Sequence, residues 1–152
     1  MSETVEKTFS IQKVYTKGIS FESPNTPGIF TSEFQPALSV DLNVESQKLE
    51  EGVYHVIVRV TATTKVEEST AFLCEVEQAG IFTLAGFNED EMGYMLGAQC
   101  PNVLFPYARE VVSDLVTRGG FPQLLLEPVN FESMYADHAQ QASAAKESAT
   151  EQ

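Results

Sequence analysis

Tryptophan is absent, and cysteine and histidine occur only twice each. The thiols, Cys74 and Cys100, belong to no CxxC pair, so neither a disulfide framework nor a cysteine zinc site is indicated. His55 and His138 have no metal-ligand spacing to each other or to the thiols. Asp137 and His138 form no dyad on a helix, because sequence neighbours project in different directions. A Cys–His pair in space stays open, yet Cys74 alternates with apolar positions, where a thiol is ordinarily an inert core residue. Gly80, Gly86, Gly93 and Gly97 lead into no Lys-Ser or Lys-Thr, and no dinucleotide fingerprint occurs. No apolar run approaches the ~20 residues that span a bilayer. Met1 to Thr8 carries no apolar signal core. These absences point away from an enzyme, a metalloprotein or a nucleotide-binding protein, with no cofactor expected, and towards a cytoplasmic protein with reduced thiols.

Positive charge is scarce as well. Nine Lys and Arg stand against twenty-two Asp and Glu, a formal net charge of -13. The imbalance is local. Between Lys65 and Arg109 there is no basic residue, while Glu67, Glu68, Glu75, Glu77, Glu89, Asp90 and Glu91 all fall there. Such a chain repels nucleic acid and anionic membranes and attracts basic partners. What is abundant is apolar matter: 43% hydrophobic residues, with ten Phe and five Tyr. That supplies a core for one domain of this length. Two helices on a small sheet cannot cover all those rings, so a subunit interface and an open apolar groove are expected.

The first half alternates with period two. Leu38, Val40, Leu42 and Val44 share one face of a strand, opposite Ser39, Asp41, Asn43 and Glu45. Tyr54, Val56, Val58 and Val60 repeat the pattern. In a third strand Phe72, Cys74, Val76 and Gln78 alternate with Leu73, Glu75 and Glu77. A further extended stretch, Phe9 to Glu22, alternates imperfectly. No helix-length segment separates these runs, so the pairing is antiparallel, with turns at Glu50-Glu51-Gly52 and Glu67-Glu68-Ser69. The stretch 23–36 is Pro-rich and too long for a turn; it reads as a crossover or covering loop.

The second half changes period. Ala108, Val111, Val112, Leu115 and Val116 form a helical stripe that stops at Gly119-Gly120, with its first turn obscured by Pro101 and Pro106. A last helix is expected from an Asn130 cap to about Ala142, striped by Phe131, Met134, Tyr135, His138, Ala139 and Ala142. Strands followed by helices define an α+β fold: a four-stranded antiparallel sheet with helices packed on one side. Residues 9–142 form the domain, between a disordered start (1–8) and a disordered polar tail (143–152).

Several blocks resemble one family. Tyr15-Thr16-Lys17, Ile19-Ser20-Phe21-Glu22 and Pro24-Asn25 resemble the opening strand of SecB proteins. So does Ala71-Phe72-Leu73-Cys74-Glu75-Val76 leading through Gly80-Ile81-Phe82. The most specific block is Cys100-Pro101-Asn102-Val103-Leu104-Phe105-Pro106-Tyr107-Ala108-Arg109-Glu110. Arg118-Gly119, Phe121-Pro122 and Pro128-Val129-Asn130-Phe131 complete the series in family order, over about residues 9 to 140.

The resemblance implies an ATP-independent holdase, assembled as a homotetramer (a dimer of dimers), that keeps precursor polypeptides unfolded and delivers them to the ATPase SecA. It places SecA docking on Glu22, Leu73 and Glu75. It places the client groove at Phe34, Val40, Leu42, Met134 and Tyr135. Cys74, Val76 and Gln78 lie toward subunit contacts. One departure is visible: the family often has an acid where this chain has Gly18, which removes one charge from the docking face. Two other readings stay open, a small-molecule or acyl-binding domain and a chaperone dedicated to one client such as an antitoxin.

Overall fold

The alternating runs become four long antiparallel strands: β1 (Thr8–Glu22), β2 (Pro36–Glu50), β3 (Val53–Val66) and β4 (Ser69–Ala85). The computed structural model describes residues 6–33 and 35–150, with side chains through residue 142. Their order in the sheet is β1-β4-β3-β2, so β1 pairs with β4 and the segment between β1 and β2 crosses one end. A 3-10 turn, Gly28–Thr31, lies in that crossing and buries Ile29. The two hairpins turn where the glutamates predicted, with Gly52 at φ 79° and Glu67 at φ 58°. The left-handed region is routine for glycine and costly for Glu67. The imperfect alternation of β1 has a physical cause. Its register against β4 slips between Ile11 and Lys13 and again between Thr16 and Gly18, and each extra residue breaks the period.

The helices lie on one face. The helical run starts earlier than the apolar stripe suggests, at Glu89. There Asn88 accepts from the Glu91 amide and the Glu91 carboxylate accepts from the Asn88 amide, a complete capping box. Lys7 adds an ion pair to Glu91. The run continues through α1 (Glu89–Tyr94), a π-helical segment (Met95–Gln99) and α2 (Cys100–Arg118). Pro101 and Pro106 therefore lie inside a helix rather than at its start. A π turn just before Pro101 is where the helix absorbs a ring that cannot donate and that crowds the preceding turn.

The last helix, α3 (Phe131–Thr150), is capped as expected, with the Ser133 amide donating to Asn130 Oδ1 at 2.9 Å. It runs past the expected end at Ala142 to Thr150. Ala, Lys and Glu there favour helix without any apolar stripe. Thr8 already belongs to β1, and residues 1–5 and 151–152 lie outside the described residues.

The core lies between the inner sheet face and α2. Val56, Val58, Val60, Cys74, Val76 and Phe82 meet Leu104, Ala108, Val112 and Val116. α2 lies over β4 and β3 and touches β1 only slightly. The inner face of β2 is therefore left without cover from α2, and only the π-helical segment reaches it, near Leu42 and Val44.

Candidate functional site

That uncovered strip is the first feature of the site. Leu38, Val40 and Leu42 of β2 pair across to β3 and continue its apolar rows outward to the sheet edge. Leu38 and Val40 are 45% and 44% exposed, while Leu42 is half-buried against the core. Facing them, the non-helical segment after α2 presents Leu125, Leu126, Pro128 and Val129, and the two walls enclose a cleft of about 440 Å³. Phe105 of α2 joins this lining. A second cleft, about 610 Å³, continues along β2 between Leu42, Val44, the π-helical turn and α3, where Phe131, Met134 and Tyr135 line it. Leu42 lines both. The structure thus brings together Val40, Leu42, Met134 and Tyr135, which the sequence places in two distant segments; Phe34 lies outside the described residues.

Sequence reasoning missed the opposite wall. Leu124-Leu125-Leu126 lies between Gly120 and Pro128 with no helical or strand period. An apolar run in a segment without regular structure was the available signal, and Leu125 is the most exposed large apolar side chain among the described residues, at 69%. The helical stripe of α3 also overstates its burial. Phe131 is buried and Tyr135 half-buried, but Met134, His138, Ala139 and Ala142 are exposed.

The outer sheet face is polar and carries the second feature. Glu22 and Leu73 are cross-strand partners of β1 and β4, and Glu75 follows on the same face between Ser20 and Thr61. The three predicted docking residues therefore form one contiguous patch. Leu73 is exposed, and the Thr61 hydroxyl donates to Glu75 Oε2 at 3.3 Å. Farther along, Arg59 reaches Glu77 and Glu45, each at 3.3 Å. Beyond it the Tyr15 hydroxyl lies 2.6 Å from His55 Nε2. Burial, with a smaller push from Lys17, holds His55 below the usual imidazole range, which favours its neutral form.

Cys74, Val76 and Gln78 offer no surface in this chain. They point inward, opposite the acidic patch, and are buried in the core shared with α2. Gln78 meets its polar need by accepting from the Thr16 hydroxyl at 2.9 Å. Burial raises the Cys74 thiol to about 11 and the Cys100 thiol to about 12, so neither supplies a thiolate near neutral pH. Among the described residues no group of three His, Cys, Asp or Glu side chains could hold a metal ion, and no helix is long and apolar enough to cross a membrane.

A four-stranded antiparallel sheet with helices on one side, an open apolar trough at one edge and a charged outer face define an α+β protein with two contrasting exposed faces. The sequence profile of the preprotein translocase subunit SecB family matches residues 2–142. The chain is 73% identical over 146 residues to the protein-export protein SecB of Hydrogenovibrio crunogenus, covering 95% of this chain and 98% of that protein. It is 52% identical over 145 residues to the protein-export protein SecB of Methylococcus capsulatus, covering 95% and 94%. Its fold is similar to that of a Mycobacterium tuberculosis SecB-like chaperone, Rv1957, solved in complex with a ChAD peptide from the HigA1 antitoxin. That likeness has a TM-score of 0.66 at 16% identity and covers 80% of this chain and 90% of the other. The chain belongs to the SecB family of protein-export chaperones.

Proposed function

We propose that the protein is a cytoplasmic, ATP-independent holdase that keeps precursor polypeptides unfolded for export and passes them to SecA, working by binding without catalysis. The observation that carries this is the apolar trough. Leu38 and Val40 remain exposed and Leu42 only half-buried in a fold that has helices available, and a second apolar wall faces them. Apolar contact is nondirectional and scales with area, roughly 25 cal/mol per Å² buried, so such a trough accepts many sequences. It also rejects folded proteins, whose apolar residues are already buried. Both of the SecB relatives above are protein-export proteins, which favours this reading over a chaperone dedicated to one antitoxin.

Docking to SecA would use Glu22, Leu73 and Glu75, two carboxylates around an exposed leucine, on the face opposite the trough. A client and SecA could then be held together. The working assembly would be a homotetramer. Phe9, Ile11 and Ile19 are exposed along β1, an edge strand with one unpaired side, and need a cover. Cys74, Val76 and Gln78 would act on assembly through the seat of α2 rather than by contact.

The test is native mass measurement of the purified chain with and without a denatured precursor added by dilution. A tetramer that binds the unfolded precursor and ignores its folded form is expected. A monomer, or equal binding of the folded and unfolded forms, would refute the holdase reading.

A further inference from the structure

We propose that Glu77 is a fourth docking residue of the outer face, and that Gly18 is the position that leaves its carboxylate free to serve. This rests on the reading of that face as the SecA side. Gly18, Glu77 and Arg59 lie abreast on β1, β4 and β3 as successive cross-strand partners, one step along from Ser20, Glu75 and Thr61. Glu77 therefore continues the row begun by Leu73 and Glu75. Its two carboxylate oxygens have different surroundings. Oε2 faces Arg59 Nη2 at 3.3 Å, and the same guanidinium reaches Glu45 through Nη1 at 3.3 Å. Charge-assisted hydrogen bonds are usually nearer ~2.7–2.9 Å. One loosely held cation is thus shared by two carboxylates, and the trio keeps a net negative charge.

Oε1 leans the other way, over Gly18. A β-carbon at position 18 would sit 3.2 Å from it, closer than ordinary van der Waals contact. Gly18 has no left-handed backbone to accommodate, unlike Gly52, Gly86 and Gly120. Conformation therefore does not call for glycine there; what the glycine supplies is space. Even a methyl group at 18 would make Oε1 yield by a few tenths of an ångström, and a longer side chain would take more of the space it occupies. With glycine, the charge that β1 lacks at this point of the face is presented by β4. The partner this patch fits is a basic segment with an apolar side chain for Leu73, its cations spread over Glu22, Glu75 and Glu77.

The experiment measures binding of purified SecA to the full chain at several salt concentrations. Glu77→Gln should weaken binding about fivefold at low salt, the size typical of a partly exposed charge, and should flatten the salt dependence. Gly18→Asp combined with Glu77→Gln returns an acid to the same spot from β1 and should recover most of the loss. Arg59→Gln alone removes the cation beside Glu77 and should leave binding as tight as wild type or tighter. Weaker binding in that variant would mean that the guanidinium, not the carboxylate, meets the partner, and would overturn the assignment. Glu75→Lys separates the inference from the reading beneath it. If Glu75→Lys weakens binding and Glu77→Gln does not, Glu77 has no part in docking. If neither changes binding, the docking face itself is wrong and the inference falls with it. Unchanged thermal midpoints in all variants keep the comparison on the surface.

Discussion

The ring of Tyr135 on α3 rests on Gly97 of the π-helical segment, so close that a β-carbon there would lie 2.7 Å from Cδ2. Gly93, one turn earlier, has the same relationship to the Tyr135 hydroxyl, at 2.6 Å. The two glycines form a notch that seats the ring. With Phe131 it is the main attachment of α3, whose next turns are exposed. Gly97→Ala should therefore push Tyr135 out. Overpacking costs about 1–3 kcal/mol, while alanine in a helix regains about 1 kcal/mol, so the global thermal midpoint should move little. Amide exchange in α3 should instead quicken about tenfold. Unchanged exchange in α3 would show that the notch does not hold it.

The thiols give a pH dependence with a defined sign. Cys74 and Cys100 are raised from 9.0 to about 11 and about 12 by burial, which keeps them protonated in the folded chain. In the unfolded chain they ionise near 9.0, so above that pH the folded state holds more protons. Stability from this source is then constant below about pH 9 and falls as pH rises towards 11 and 12. At neutral pH both thiols should resist iodoacetamide until denaturant is added. Rapid alkylation of the native protein would contradict their burial.

Val76 is fully buried within the chain. Val76→Phe should therefore lower the thermal midpoint, at a cost of about 1–3 kcal/mol, and disturb assembly as a consequence of shifting α2. Native mass and calorimetry on the same sample decide the order of events. Loss of tetramer with an unchanged midpoint would mean that Val76 faces another subunit directly.

Strand periodicity carried most of this fold, because a period of two assigns each residue to a face whatever lies above it. Glu75 and Cys74 fall on opposite faces in the sequence pattern and in the sheet. Periodicity does not say which part of an apolar face will be covered. Val40 and Val60 read alike in their strands, yet Val60 is buried and Val40 is 44% exposed, because α2 crosses β3 and stops short of β2. That difference depends on where a helix lies, a property of the packed chain. The helix start failed for a local reason. Pro101 and Pro106 look like boundaries, while the Asn88–Glu91 capping box, legible in the sequence, marks the true one.

The same contrast makes the trough testable. Val40 has lost no cover that folding requires, so Val40→Ser should leave the thermal midpoint nearly unchanged, within about 0.5 kcal/mol in stability. Leu42 is half-buried and packs on the core, so Leu42→Ser should cost stability, about 1–2 kcal/mol. Their effects on an unfolded precursor should rank differently. Both side chains line the clefts, and Leu42 lines both of them, so each change removes apolar area that the client would otherwise bury. At about 25 cal/mol per Å², the remaining exposure of Val40 is worth roughly 1 kcal/mol, or about fivefold in affinity. Val40→Ser is therefore the decisive variant, since its loss of binding cannot be blamed on a loosened core. Titrating a denatured precursor into wild type and Val40→Ser at equal thermal midpoint measures it. Equal affinities would place the client elsewhere on the molecule, and the exposed row on β2 would then need a different occupant.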